Sequence, residues 1–119
     1  MKAKTILLVE DEEQVRVLLE RVLVKNDYKV LSATNGREAL ALAQGKINDI
    51  DLVISDLVMP ELGGVGLLRE LRLIRSDIPF LYMTGYSEED VQQEGPLEGA
   101  HLIQKPFTPV QLMQRIADL

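Results

Sequence analysis

The chain has 119 residues, 46% of them hydrophobic and 27% charged, with a net charge of −6 from 13 basic and 19 acidic side chains. That is enough chain for a single domain over residues 1–119, and it is too acidic to favour nonspecific binding to nucleic acid or to an anionic membrane surface. The lack of cysteine excludes disulfides, thiolate metal centres and thiol catalysis, and a lone histidine, His101, excludes a two-histidine metal site.

Lys4–Glu10 is a near-continuous apolar run, as expected of a strand buried on both faces. Val15, Leu18, Leu19, Val22 and Leu23 then recur at helical spacing and predict a helix over residues 12–26. Tyr28–Thr34 reads as a second strand. Asn35-Gly36-Arg37-Glu38 has the form of a capping box and opens a helix that runs through Ala39, Leu40, Leu42 and Ala43 and stops near Gly45. Asp51–Ser55 is the third strand, and residues 65–75 a third helix with Leu68, Leu71 and Ile74 inward.

Pro79–Met83 is the fourth strand, with proline tolerable at its first position. Ser87-Glu88-Glu89-Asp90 opens a short polar fourth helix, which Gly95-Pro96 breaks. His101–Gln104 is the fifth strand. Thr108-Pro109-Val110-Gln111 is a helix start, with threonine as cap, proline at the first helical position and glutamine three residues after the cap. Val110, Met113, Ile116 and Ala117 are expected to face inward in that last helix. No apolar run is long enough to cross a bilayer, and the expectation is a cytoplasmic domain.

Alternating strands and helices imply an α/β fold: a parallel sheet of five strands with helices on both faces. Right-handed crossovers favour a doubly wound sheet of order 2-1-3-4-5, and a closed barrel would need eight units. Ligands of such sheets bind beyond the C-terminal strand ends, where the first and third strands part.

The sequence places Glu10-Asp11, Asp56, Thr84-Gly85 and Lys105-Pro106 at those ends. At a strand spacing of roughly 4.8 Å, Asp11 and Asp56 come within reach of one cation, and Lys105 is two strands away from Asp56, a gap its long side chain can bridge. Singly, each residue fits a plainer role: Asp11 a helix cap, Asp56 or Thr84-Gly85 a turn, Lys105 a solvated charge. Together, three carboxylates on adjacent strand ends repel one another and call for a compensating cation. Hard oxygen donors without histidine or cysteine suit Mg²⁺.

The segments LLVEDEEQVR (7–16), LVISDLVMPELGG (52–64), MTGYS (83–87) and IQKPF (103–107) resemble the receiver domain of two-component response regulators, in order and with the family's spacing over the whole chain. The resemblance implies the flavodoxin-like five-unit receiver fold and a phosphoacceptor in phosphorelay signalling, not a turnover enzyme. It implies that Asp56 accepts a phosphoryl group from a phosphohistidine. Asp11 and Asp56 would then ligate Mg²⁺ directly, Glu10 through water and Val58 by its backbone carbonyl. Thr84 would hydrogen-bond a phosphoryl oxygen and Lys105 would pair with another, and Lys105-Pro106 is expected to be cis. The implied partners are a histidine kinase or phosphotransfer domain and an attached kinase or output domain. MTGYS resembles receivers of hybrid kinases. The chain stops just after its last helix, so a stand-alone regulator and a receiver cut from a larger protein are both open.

Three positions depart from the pattern. The acidic pair is Glu-Asp instead of Asp-Asp. Gly85 follows Thr84 where alanine is frequent, which should loosen the loop. Leu102 stands where relatives carry a tyrosine or phenylalanine that rotates on activation, and His101 beside it reads as a surface residue. Among alternatives, an aspartyl-phosphate hydrolase would carry an acid at position 58, a flavin mononucleotide binder would need a phosphate loop where Glu10–Glu13 are acidic, and a degenerate receiver would lack the Asp11, Asp56, Thr84 and Lys105 set.

Overall fold

Leu7 and Val9 belong to one apolar cluster, Ile6 and Leu8 to a second, and all four side chains are fully buried. A strand covered on both faces has to lie inside a sheet sandwiched between helices. The computed structural model describes residues 4–59, 61–85 and 99–119. It places this strand, β1 (Thr5–Val9), between β2 (Lys29–Ala33) and β3 (Leu52–Asp56), with β4 (Phe80–Thr84) and β5 (His101–Gln104) beyond β3. All pairings are parallel and the order is β2-β1-β3-β4-β5, as the sequence predicts.

Four α-helices stand among the described residues: α1 (Glu13–Lys25), α2 (Gly36–Ala43), α3 (Gly64–Ile74) and α4 (Pro109–Ala117). The helix expected from Ser87 and its break at Gly95-Pro96 lie outside the described residues. One cluster joins Leu7, Val53, Phe80 and Tyr82 of the sheet to Ala39 and Ala43 of α2 and Leu67 and Leu71 of α3. The other joins Ile6, Leu8, Ile54 and Met83 to Leu19 and Leu23 of α1 and Leu112 and Ile116 of α4. None of the described helices is long and apolar enough to cross a membrane.

The expected inward faces need correction in two helices, α3 and α4. In α3, Leu67 is buried with Leu68 and Leu71, whereas Ile74 is 52% exposed. At 3.6 residues per turn Ile74 has drifted about 80° off the stripe begun by Gly64. In α4 two apolar stripes compete. The sheet takes Leu112 and Ile116; Val110 and Ala117 are exposed and Met113 is half-buried. Val110 sits about 200° around the helix from Leu112, so one sheet cannot cover both. In α1, Leu18 is exposed while Leu19 and Leu23 fill the core.

The two expected capping boxes differ. At Thr108 the box is complete: its side chain accepts from the Gln111 N–H at 3.1 Å, and Gln111 Oε1 accepts from the Thr108 N–H at 2.8 Å. At Asn35 only half forms. Asn35 Oδ1 accepts from the Glu38 N–H at 2.8 Å, but the Glu38 carboxylate takes the Thr34 hydroxyl at 2.9 Å. A 3-10 turn at Ile47–Asp49, which no sequence pattern announces, is held by the buried Ile47 and by Arg75 Nη1, which donates to the Ile47 and Ile50 carbonyls at 3.1 and 2.6 Å.

The start of α3 is pressed against the end of β3. A Cβ on Gly64 would come 2.5 Å from the Asp56 carbonyl oxygen and 2.8 Å from the Tyr82 ring, and the Tyr82 hydroxyl donates to the Gly64 carbonyl at 3.1 Å. Gly64→Ala is therefore expected to cost about 1–3 kcal/mol as overpacking. Urea denaturation of the two proteins measures it; an unchanged midpoint would show that the contact relaxes freely.

Candidate functional site

The parallel ladders run one step beyond three of the strands, and those steps fix the site. The Glu10 N–H donates to the Ala33 carbonyl at 3.1 Å, the Leu57 N–H to Met83 at 3.0 Å, and the Lys105 N–H to Thr84 at 2.7 Å. Backbone pairing therefore holds the residues after β1, β3 and β5 in register at the C-terminal edge of the sheet. Asp56, the last residue of β3, pairs across to Met83, so Thr84 is one step further along β4.

Side chains converge there. Lys105 Nζ lies 2.6 Å from Asp56 Oδ1 and 3.2 Å from Glu10 Oε1. The ammonium crosses two strand spacings, as its length allows. Glu10, Asp11 and Asp56 each offer an oxygen, all within 4.8 Å of one another. Glu10 and Asp56 are almost fully buried, at 1% and 5% exposure, and Thr84 is buried as well. Asp11 faces solvent. The Val58 side chain is exposed in the turn after β3, and Lys105-Pro106 is cis.

Asp11 does not cap α1. The N-cap is Glu12, which gives no side-chain hydrogen bond, and Glu10 Oε2 instead accepts from the Glu12 N–H at 3.2 Å. Arg16, which the sequence reading did not single out, sends Nη1 back to the Glu10 carbonyl at 3.0 Å. Only its place one turn into the helix after the acidic pair hinted at this. Leu102 is half-buried, packs against the cluster of Leu7, Val53 and Tyr82, and pairs with Tyr82 in the sheet. His101 is exposed, as expected of a surface residue.

The electrostatics follow from burial and crowding. Burial pushes the Asp56 carboxyl up to about 8, and its hydrogen bond to Glu10 and the Glu10 charge add to this, while Lys105 opposes it. For Glu10, burial acts upward but is outweighed by hydrogen bonds from Asp56 and the Glu12 N–H and by Lys105, so its carboxyl is held below the ordinary range. Burial tends to lower the Lys105 ammonium, but contact with Asp56 and Glu10 raises it, so it stays charged. The two buried carboxyls thus retain a proton to higher pH than free ones would, and we place it on Asp56. The donor set is all hard oxygen, and its excess negative charge fits a divalent cation.

A raised pKa means that the native state holds its proton more tightly than the unfolded chain. Stability from this group is full below the ordinary Asp value of 3.8 and is lost as pH rises to about 8. In EDTA, the stability of the wild type relative to Asp56→Asn should fall across that window, by at most about 1.4 kcal/mol per pH unit for one proton. Urea melts of both proteins at several pH values check this. A flat or rising difference would mean that Lys105 already compensates the charge.

Comparison with known proteins places these features in a family. Residues 6–117 match the model of the response regulator receiver domain. The chain is 39% identical over 116 residues to the sensor kinase CckA of Brucella abortus, covering 97% of this chain and 12% of that protein. It is 34% identical over 115 residues to the response regulator SaeR of Staphylococcus aureus, covering 96% of this chain and 49% of SaeR. It therefore spans about half, or much less, of the curated relatives it matches. Among solved structures, the chemotaxis protein CheY4 of Vibrio cholerae superposes with a TM-score of 0.89 at 31% identity, covering 98% of both chains.

Proposed function

The chain belongs to the family of response regulator receiver domains of two-component systems, and on that premise we propose that Asp56 is the phosphoacceptor of a Mg²⁺-dependent phosphorelay. The observation that carries the reading is Asp56 at the end of β3, with Glu10 and Asp11 on one side and the Lys105 ammonium in contact. An Asp56 carboxylate oxygen forms a bond to phosphorus as the phosphorus–nitrogen bond of a phosphohistidine breaks. The bonding pair goes to the imidazole, which leaves neutral when its other nitrogen carries a proton. No general base is required once Asp56 has lost its proton, a loss that Lys105 favours and a bound cation would favour further.

Each residue has a role in that transfer. Lys105 favours the ionised form of Asp56 against burial and the Glu10 charge, and it can pair with a phosphoryl oxygen after the reaction, its ammonium being already at the site. Thr84, buried one step beyond the ladder partner of Asp56, would hydrogen-bond another phosphoryl oxygen. Glu10, Asp11, Asp56 and the Val58 carbonyl would hold the cation, with Glu10 acting through water. Bound there, Mg²⁺ would offset the carboxylate charge and the negative oxygens of the transferring group.

The partners we assign are a histidine kinase or phosphotransfer domain as donor and a kinase or output domain, attached or separate, as reader. The similarity to a sensor kinase and to a response regulator supports both arrangements. We place the domain, residues 1–119, in the cytoplasm, and regard it as a signalling element and not an enzyme acting on a separate substrate.

Incubation with acetyl phosphate and Mg²⁺ should add one phosphate to the wild type and none to Asp56→Asn, as read by intact-protein mass spectrometry. Equal phosphorylation of the two would remove Asp56 from this role. Mg²⁺ at a hundredfold excess over its Kd should stabilise the fold by about 2.7 kcal/mol, because only the native state assembles the site. Thermal melts in MgCl₂ against EDTA test it, and coincident curves would argue that the carboxylates bind no cation.

A further inference from the structure

The link between β1 and α1 is only Glu10, Asp11 and Glu12, and it carries two of the three clustered carboxylates. Asp11 is exposed, so the backbone on either side must set the direction of its side chain. The helix offers little help, because its N-cap Glu12 makes no side-chain hydrogen bond. The link is held instead at three points: the Glu10 N–H on the Ala33 carbonyl, the Glu12 N–H on Glu10 Oε2, and the Glu10 carbonyl under Arg16 Nη1 at 3.0 Å. The first two fix the ends of the link. Among the described residues only the third holds the Glu10–Asp11 peptide unit, and that unit decides where the Asp11 carboxylate points.

We propose that Arg16 is a positioning residue for Asp11, which locks the Glu10–Asp11 peptide so that the Asp11 carboxylate meets those of Glu10 and Asp56. This rests on the proposed reading of the three carboxylates as a divalent-cation site. Arg16 is also tied down itself, since its own N–H donates to the Glu12 carbonyl at 2.9 Å from within the first turn of α1. It is not a ligand, and its positive charge works against a bound cation. Positioning and charge therefore make opposite predictions. Removing Arg16 loosens the site if orientation matters, and tightens it if charge alone matters. Partners that orient metal ligands typically contribute about ten- to a hundredfold in affinity.

The experiment is isothermal titration of the full chain with MgCl₂ at constant ionic strength, for wild type, R16M and R16K, together with melting in EDTA. R16M should bind Mg²⁺ at least about tenfold more weakly than wild type. R16K, which keeps a donor able to reach the carbonyl, should recover much of the loss. Melting of R16M in EDTA should stay near that of the wild type. Unchanged or tighter Mg²⁺ binding by R16M would overturn the proposal, as would a lower melting temperature with unchanged affinity, which marks a purely structural role. Should R16M fail to fold, R16Q, equally neutral and too short to reach, gives the same comparison. No Mg²⁺ binding by the wild type would instead overturn the cation site itself, an outcome distinct from failure at Arg16.

Discussion

Two buried carboxylates share one partly exposed ammonium at the edge of the sheet, and the neighbourhood is arranged around that fact. Glu10 and Asp56 are 1% and 5% exposed, and Lys105 bridges them at 3.2 and 2.6 Å. Burying charge is costly unless it is paired and hydrogen-bonded. One ammonium against Glu10, Asp56 and the nearby Asp11 leaves excess negative charge. The protein meets part of it by retaining a proton on Asp56 and by turning the Glu12 N–H toward Glu10. The remaining imbalance is what would make the corner receptive to a cation.

That corner can exist only because the sheet holds it open. Parallel strands all end on the same edge, so residues distant in sequence arrive side by side; Lys105 meets Glu10 across 95 positions and Asp56 across 49. Three hydrogen bonds carry the ladder one residue past the strands and anchor Glu10, Leu57 and Lys105. The floor is equally constrained. Ser55 is fully buried and donates to the Asp56 carbonyl at 2.9 Å, and Gly64 packs against the same carbonyl where no side chain would fit. Asp56 therefore has a closely packed backbone, and its carboxylate meets the Lys105 ammonium at 2.6 Å.

The departures from the family's pattern acquire physical content in the fold. The longer Glu10 has one carboxylate oxygen on Lys105 and the other on the Glu12 N–H, so it spans the corner and caps the helix link together. Leu102 packs half-buried against the cluster that contains Tyr82, and its carbonyl accepts from Arg115 Nε at 3.1 Å. Its place is set by apolar contact and backbone bonding, with no polar tip to present to solvent. Among the described residues, nothing comes within 4 Å of a would-be Cβ on Gly85.

The sequence by itself determined the fold and which polar residues stand at the C-terminal edge of the sheet. Uninterrupted apolar runs such as Ile6-Leu7-Leu8-Val9 report burial on both faces, and polar residues that end such runs stand on the functional edge. Thr108 and Gln111 were legible as a cap because both halves of that motif are local. The tertiary structure decided what depends on neighbours far along the chain. Of the expected stripe of Val110, Met113, Ile116 and Ala117 it buried Ile116, half-buried Met113 and left Val110 and Ala117 exposed, taking Leu112 instead, since one sheet face covers only one side of a helix. It sent the Glu38 carboxylate to Thr34 and drew Arg75 onto the turn at Ile47. It also brought Arg16 back to the Glu10 carbonyl, a contact that no side-chain pattern announces because its acceptor is backbone. Periodicity encodes which residues are buried; the direction of a long side chain and the charge state of a crowded carboxylate are fixed only when the strands assemble.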